Sequence, residues 1–204
     1  MKGGFRRTQR GVAATFDEMQ AGVLRHLAAD IEELMGAREV AEPDVAPTPA
    51  PGADPFEALF ADFSAGATTR PDDPVLARLL PDGYSAPTGD GNAKPTVDTE
   101  AAAADFRRFT EPDLRAGKTA NAQTILTSVP VGGGSVLLDD DEAESWLRGL
   151  NDMRLALGTA LEVGPDTDRE FGRIDPMSSR GRRLHLYMWL GVLQETLLES
   201  ITDG

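Results

Sequence analysis

Apolar residues recur at helical spacing in three long stretches of this chain, with prolines and glycines between them. The clearest stretch is Asp139–Val163. There Trp146, Leu150, Met153, Leu157, Ala160 and Leu161 fall on one arc at about 100° per residue, the stripe of a helix buried on one side. The carboxylates at its front, Asp139 to Glu142, suit an N-cap and the positive end of the helix dipole. A second helix runs to about Gly36, with Leu24, Leu27, Ile31 and Leu34 on one face; Thr15 is its predicted N-cap, completed by Glu18 as a capping box. A third spans about Ser179 to Thr202, and Leu186, Leu190, Leu193, Leu197 and Ile201 form its main stripe. Leu184, Tyr187, Met188, Val192 and Leu198 lie off that stripe, so its first half is apolar nearly all round. Such a helix suits either a central core position or a contact with a second copy.

Shorter patterns fill the remainder. Phe5–Arg7 and Val12–Phe16 read as strands around a turn at Gln9-Arg10-Gly11. Ser135–Leu138, after Pro130 and the Gly132–Gly134 run, is short and apolar and leads into the Asp139 helix. The two strand-to-helix passages echo one another, with Leu24-Arg-His-Leu27 in one helix and Leu147-Arg-Gly-Leu150 in the other, which raises the prospect that the two strands pair. Asp54-Pro55 and Asp73-Pro74 each place an N-cap before a proline at the first helical position, opening short helices toward Phe60 and toward Leu80. Asp98–Phe109 is predicted as a helix that Pro112 breaks, with Thr110 capping a continuation through Leu126. Residues 164–179 read as a loop of mixed charge. The Pro-, Gly- and acid-rich segments at about 39–53 and 82–97 are expected to be flexible. The fold expected is mainly α: a single helical domain over 1–204 of about five to six helices, with a small two-stranded β element.

Composition narrows the chemistry. The net charge is −14, so binding nucleic acid or an anionic membrane requires a locally basic face. The chain has no cysteine and two histidines, which excludes thiolate nucleophiles and disulfides and leaves little for a His-based metal site or triad. No segment approaches the roughly 20 apolar residues that span a bilayer, and no apolar run follows the basic N-terminus as in a signal peptide. A cytoplasmic protein without a cofactor or evident small-molecule substrate is the expectation.

Three constellations stand out. Arg6, Arg7 and Arg10, and separately Arg180, Arg182 and Arg183, are short basic clusters that could touch nucleic acid or a partner. The second also opposes its own helix dipole, a small cost that a ligand, an acidic partner or the acids at 139–144 would offset. The third is polar. Arg154 falls on the apolar side of its helix and needs an acceptor, for which Gln194 and Glu195 of the last helix are the candidates. Around it stand Arg148, Asn151 and Asp152, with Arg148 and Asp152 four apart as a surface ion pair.

The phrases GFRRTQRGVAATFDEMQAGVL (4–24), VLARLLPDGY (75–84), DFRRFTEPDLRAGKTANA (105–122), WLRGLNDMRLALGT (146–159) and YMWLGVLQETLL (187–198) resemble the AosR-like family of actinobacteria. This family was formerly labelled a domain of unknown function. Its genes often lie near that of the proteolysis adaptor ClpS, and it is described as a set of oxidative-stress transcriptional regulators. The resemblance implies a non-enzymatic cytoplasmic regulator that reaches promoter DNA with RNA polymerase and a sigma factor, by a basic patch or through a partner; a homodimer is the further expectation left by the all-round apolar first half of the last helix. A protein-interaction adaptor tied to Clp-type proteolysis, without DNA contact, is the alternative. The redox-sensing members use a close cysteine pair, which this chain lacks, so any oxidant chemistry here falls to another group such as methionine sulfur.

Overall fold

The computed structural model describes residues 4–36, 71–81, 83 and 97–202. In chain order these form β1 (Arg6–Thr8), β2 (Gly11–Phe16), α1 (Glu18–Gly36), α2 (Pro74–Leu79), α3 (Val97–Ser128), β3 (Gly134–Leu138), α4 (Asp140–Ala160), α5 (Thr167–Phe171) and α6 (Ser179–Thr202). The short helix expected after Pro55 and the loose segment at 39–53 lie outside the described residues, as does nearly all of 82–97. The fold is mainly α with one small antiparallel sheet. Its order is β1-β2-β3, so the element has three strands rather than two.

The sheet forms because β2 alternates. Val12, Ala14 and Phe16 turn inward while Thr15 turns out to meet Ser135 across the strands, Oγ1 to Oγ at 3.0 Å. Val12 pairs with Leu138 and Phe16 with Gly134, which brings the two strand-to-helix passages side by side. Gly11 makes this possible: its φ is +128°, and a Cβ there would stand 2.2 Å from the Leu138 carbonyl oxygen.

Phe16 explains why the predicted cap fails. The strand must continue through it to bury the ring, so Thr15 is a strand residue and α1 starts later. Asp17 caps it instead: its Oδ1 accepts from Gln20 N at 2.8 Å, and its own N–H donates to Gln20 Oε1 at 3.0 Å. The same reciprocal chemistry opens α4, between Asp139 and Glu142. Asp73 caps α2 ahead of Pro74, as its sequence predicts.

Helix α3 runs unbroken through Pro112. A proline inside a helix costs about 3 kcal/mol in isolation; Arg115, one turn on, donates to Glu111 Oε1 at 2.8 Å across Pro112 and to the carbonyls at the end of α1. Thr110 is no cap; its hydroxyl donates back to the Phe106 carbonyl at 2.7 Å. The pairing of α1 with α3 is antiparallel and fastened at both ends. Arg25 of α1 donates to the Leu126 and Val129 carbonyls at the end of α3, and Arg115 of α3 donates to those of Leu34 and Met35 at the end of α1. These carbonyls have no partner within their own helices.

Helix α4 lies at the centre, touching α1, α2, α3, α6 and the sheet. Trp146, Leu150 and Met153 of its stripe are buried, and Ala143 and Gly149 join them. Leu161, at the end of the helix, is buried too, while Leu157 is half-buried and Ala160 exposed. The Trp146 ring stacks on Phe16 at 5.9 Å and meets the edge of Phe5 at 5.3 Å, while its Nε1 donates to Ser128 Oγ at 2.8 Å. One side chain thus joins both ends of the hairpin, α3 and α4. On α6 the buried side carries Leu184, Trp189, Leu190, Leu193 and Leu197, and Leu186 is half-covered. The segment before it is not all loop, since α5 occupies its middle.

Trp146→Ala should cost about 3–5 kcal/mol in urea unfolding, as for a large aromatic removed from a core. Trp146→Phe, which keeps a ring but gives up the bond to Ser128 Oγ while that hydroxyl still donates to the Thr124 carbonyl, should cost less, about 1–2 kcal/mol. Equal losses would mean the hydrogen bond rather than the ring cluster ties these elements.

Candidate functional site

Three helices meet around the polar residues that the sequence singles out. A cleft of about 380 Å³ runs over α4, lined by Leu114, Gly117, Lys118 and Asn121 of α3, Leu147, Arg148, Asn151 and Asp152 of α4, and Gln194 of α6. The α3 residues are spaced as one helical face, and Gly117 leaves the wall low. A broader hollow of about 580 Å³ beside α5 is lined by Asp166, Arg169, Arg173 and Ile174, and the Arg169–Asp166 pair in it is solvent-exposed.

The floor of the cleft is an ion pair. Lys118 Nζ donates to Asp152 Oδ1 at 2.6 Å, and the two side chains are 14% and 4% exposed. Burial pushes the Asp152 carboxyl above its usual 3.8, and the hydrogen bond and charge of Lys118 pull it back. The expected Arg148–Asp152 surface pair therefore does not form. Asp152 points into the protein toward α3, and Arg148 turns to solvent, where it meets Glu144 at 2.9 Å. Arg154 reaches α6, donating to Gln194 Oε1 at 2.5 Å, with its guanidinium 5.2 Å from the centre of the Tyr187 ring. Its Nε is buried with no hydrogen-bond partner among the described residues. Glu195 is exposed and stands apart from Arg154's bond to Gln194; Asn151 lies on the open rim.

Lys118 and Asn121 escaped the sequence reading. Leu114, Lys118 and Asn121 share one face of the helix expected through Leu126, but the spacing does not say which helix that face meets. Chemically the cleft offers one carboxylate, already neutralised by its own lysine, with amides around it. Among the described residues no group of three or more His, Asp or Glu side chains is placed to hold a metal ion.

The two basic clusters lie at opposite ends of α4. Arg7 meets Asp140 in the first turn of α4 at 2.7 Å, with Arg6 and Arg10 exposed beside it. Arg180 donates to the Leu161 carbonyl at the other end at 3.1 Å. Twenty residues of helix separate these anchors, about 30 Å at 1.5 Å per residue. Arg182 donates to the Met177 carbonyl and Arg183 to Ser179 Oγ, the latter at 2.9 Å. The dipole cost of cations at the start of α6 is thus offset by carbonyls, including one at the negative end of α4, and the acids at 139–144 are too far away to take part.

A family model described as "Domain of unknown function (DUF2017)" matches residues 1–201. Proteins described as "Oxidative stress regulator AosR" from Mycobacterium tuberculosis and Mycobacterium bovis are 33% identical over 180 residues, covering 88% of this chain and 77% of theirs. A "Putative oxidative stress regulator AosR" from Mycobacterium leprae is 31% identical over 183 residues, covering 89% and 78%. No solved structure matches the chain.

If the Lys118–Asp152 pair is structural, Lys118→Met should cost about 3 kcal/mol by leaving a carboxylate buried alone, whereas Lys118→Met with Asp152→Leu should be nearly neutral. The pH dependence has a defined sign. The folded state binds the Asp152 proton more tightly than the unfolded chain does, so this group's contribution to stability falls as pH rises from 3.8 through its raised value. The stability difference between wild type and Asp152→Asn should accordingly shrink over that interval. A difference that grows there would refute the pKa direction.

Proposed function

The chain belongs to the DUF2017 family, and on that membership we propose that it is a non-enzymatic regulator of the oxidative-stress response that acts on transcription in the cytoplasm. The observation that carries this reading is the likeness to the mycobacterial oxidative stress regulators over most of the chain. No helix among the described residues is long and apolar enough to cross a membrane.

The geometry favours one route to DNA over another. A direct binder of net charge −14 needs a concentrated basic face. Here the cationic clusters stand about 30 Å apart at either end of a helix, and several of their guanidinium groups are engaged with carbonyls or with Asp140. We therefore assign promoter contact to a protein partner, RNA polymerase with its sigma factor, rather than to Arg6, Arg7, Arg10, Arg180, Arg182 and Arg183 alone. The chain holds no thiol. Direct oxidant chemistry would fall to methionine sulfur, and Met19, Met177 and Met188 are exposed while Met35 and Met153 are buried.

A promoter-DNA titration at low and physiological salt, with the protein alone and then with polymerase holoenzyme, tests this. The expected outcome is negligible binding alone and a shift with holoenzyme that Ala at Arg180, Arg182 and Arg183 leaves in place. Steeply salt-dependent binding by the protein alone would make it a direct DNA regulator. No shift in either case would leave an adaptor of Clp-type proteolysis as the reading, scored by binding to a Clp component.

A further inference from the structure

Helix α6 carries a seam that changes character along its length. Gly181, Leu184, Met188, Val192, Glu195 and Glu199 follow one another at three- and four-residue steps, and so lie within roughly 80° of one another around the helix. The chain covers the beginning of the seam itself. A Cβ on Gly181 would stand 2.1 Å from the Asp175 carbonyl oxygen, and Leu184 is buried. From Met188 onward the same seam is bare: Met188 is 45% and Val192 49% exposed, with Leu198 beside them at 51%. Glu195 and Glu199 follow, both exposed and without an ion-pair partner among the described residues.

Charge decides what fits there. A second copy does not. An antiparallel pairing that spans the bare seam sets Met188 against Glu199 and Val192 against Glu195 of the other chain, and a parallel pairing sets Glu195 against Glu195. Sliding the antiparallel pair so that Met188 meets Val192 puts Glu199 on Gly181, which the Asp175 carbonyl already covers. The first two bury carboxylates with no cation, between two chains of net charge −14, and the third is blocked by the chain itself. The basic residues of α6 do not reach it, because Arg182 and Arg183 lie off the seam and Arg180 is bonded to the Leu161 carbonyl. A complementary surface must be apolar where it meets Met188 and Val192 and basic where it meets the two glutamates. The bare seam is about 17 Å long, three turns, which is the reach of one short helix.

We infer that the α6 seam from Met188 to Glu199 docks a helix of a partner protein, apolar against Met188 and Val192 and basic against Glu195 and Glu199. This rests on the reading that the chain acts through a partner. An interface of this length is small, as suits a transient regulatory contact.

The direct probe is a synthetic amphipathic helical peptide, with leucines along one face and lysines at one end, titrated into the full chain at low salt. The Met188 methyl resonance should shift, and those of Met19 and Met177 should not. Glu195→Lys with Glu199→Lys should weaken binding by about tenfold or more. Glu33→Lys with Asp113→Lys, which changes net charge equally on other helices, should leave it within about twofold. An unmoved Met188 methyl overturns the inference, and so does equal weakening by the two charge reversals. A concentration-dependent dimer broken by Val192→Glu also overturns it, in favour of a second copy. Peptide that binds the seam while polymerase holoenzyme fails to bind the protein would support the docking face and remove the transcriptional reading.

Discussion

Everything in this fold converges on Trp146. Its ring is wholly buried, stacked on Phe16 and edged by Phe5, and its one polar atom is bonded to Ser128. An indole N–H that leaves water to fill the space between a sheet and two helices is costly without a partner. Ser128, the last residue of α3, supplies one. The demand runs outward from there. Phe16 must reach the indole, so β2 extends one residue past the expected cap, and α1 begins at Glu18 behind Asp17. The β2–β3 register then sets where α4 starts.

Around this centre, arginines do work that hydrophobic packing cannot. The last turns of α1, α3 and α4 contain no basic residue. Their carbonyls would otherwise face the interior or water without compensation. Each receives a guanidinium from another element: Arg115 on α1, Arg25 on α3, Arg180 on α4. An arginine suits this role because its planar fork reaches two carbonyls at once and stays charged at any relevant pH. For this reason a chain of −14 spends some of its few cations inside, and little coherent positive surface remains for an anionic ligand.

The sequence announced the helices better than it announced the contacts between them. The bounds of α6, the pairing of β2 with β3 and the cap of α2 follow from periodicity and local chemistry, and the structure agrees with each. Local rules misled where tertiary contacts outweighed them. Thr15 looks like a cap because Glu18 stands three residues on, but the sheet needs it as a strand. Pro112 looks like a break because a proline is costly in an isolated helix, but the helix continues, with Arg115 bonded to Glu111 across it and to the end of α1. At the cleft, Arg154 and Gln194 were legible because a cation on an apolar stripe demands an acceptor. Lys118 was not, since its role depends on α3 lying antiparallel to α4, and nothing local encodes that.

The crossed bonds of Arg25 and Arg115 have a consequence for how this chain can vary. Sliding α1 along α3 by one turn would break both at once, so the register of the pair is locked by its own side chains at both ends. The connection that leaves Gly36 is therefore relieved of any duty to align what it joins. Both fasteners lie within the helices themselves, so the pairing of α1 with α3 does not depend on the number of residues between Gly36 and Pro71.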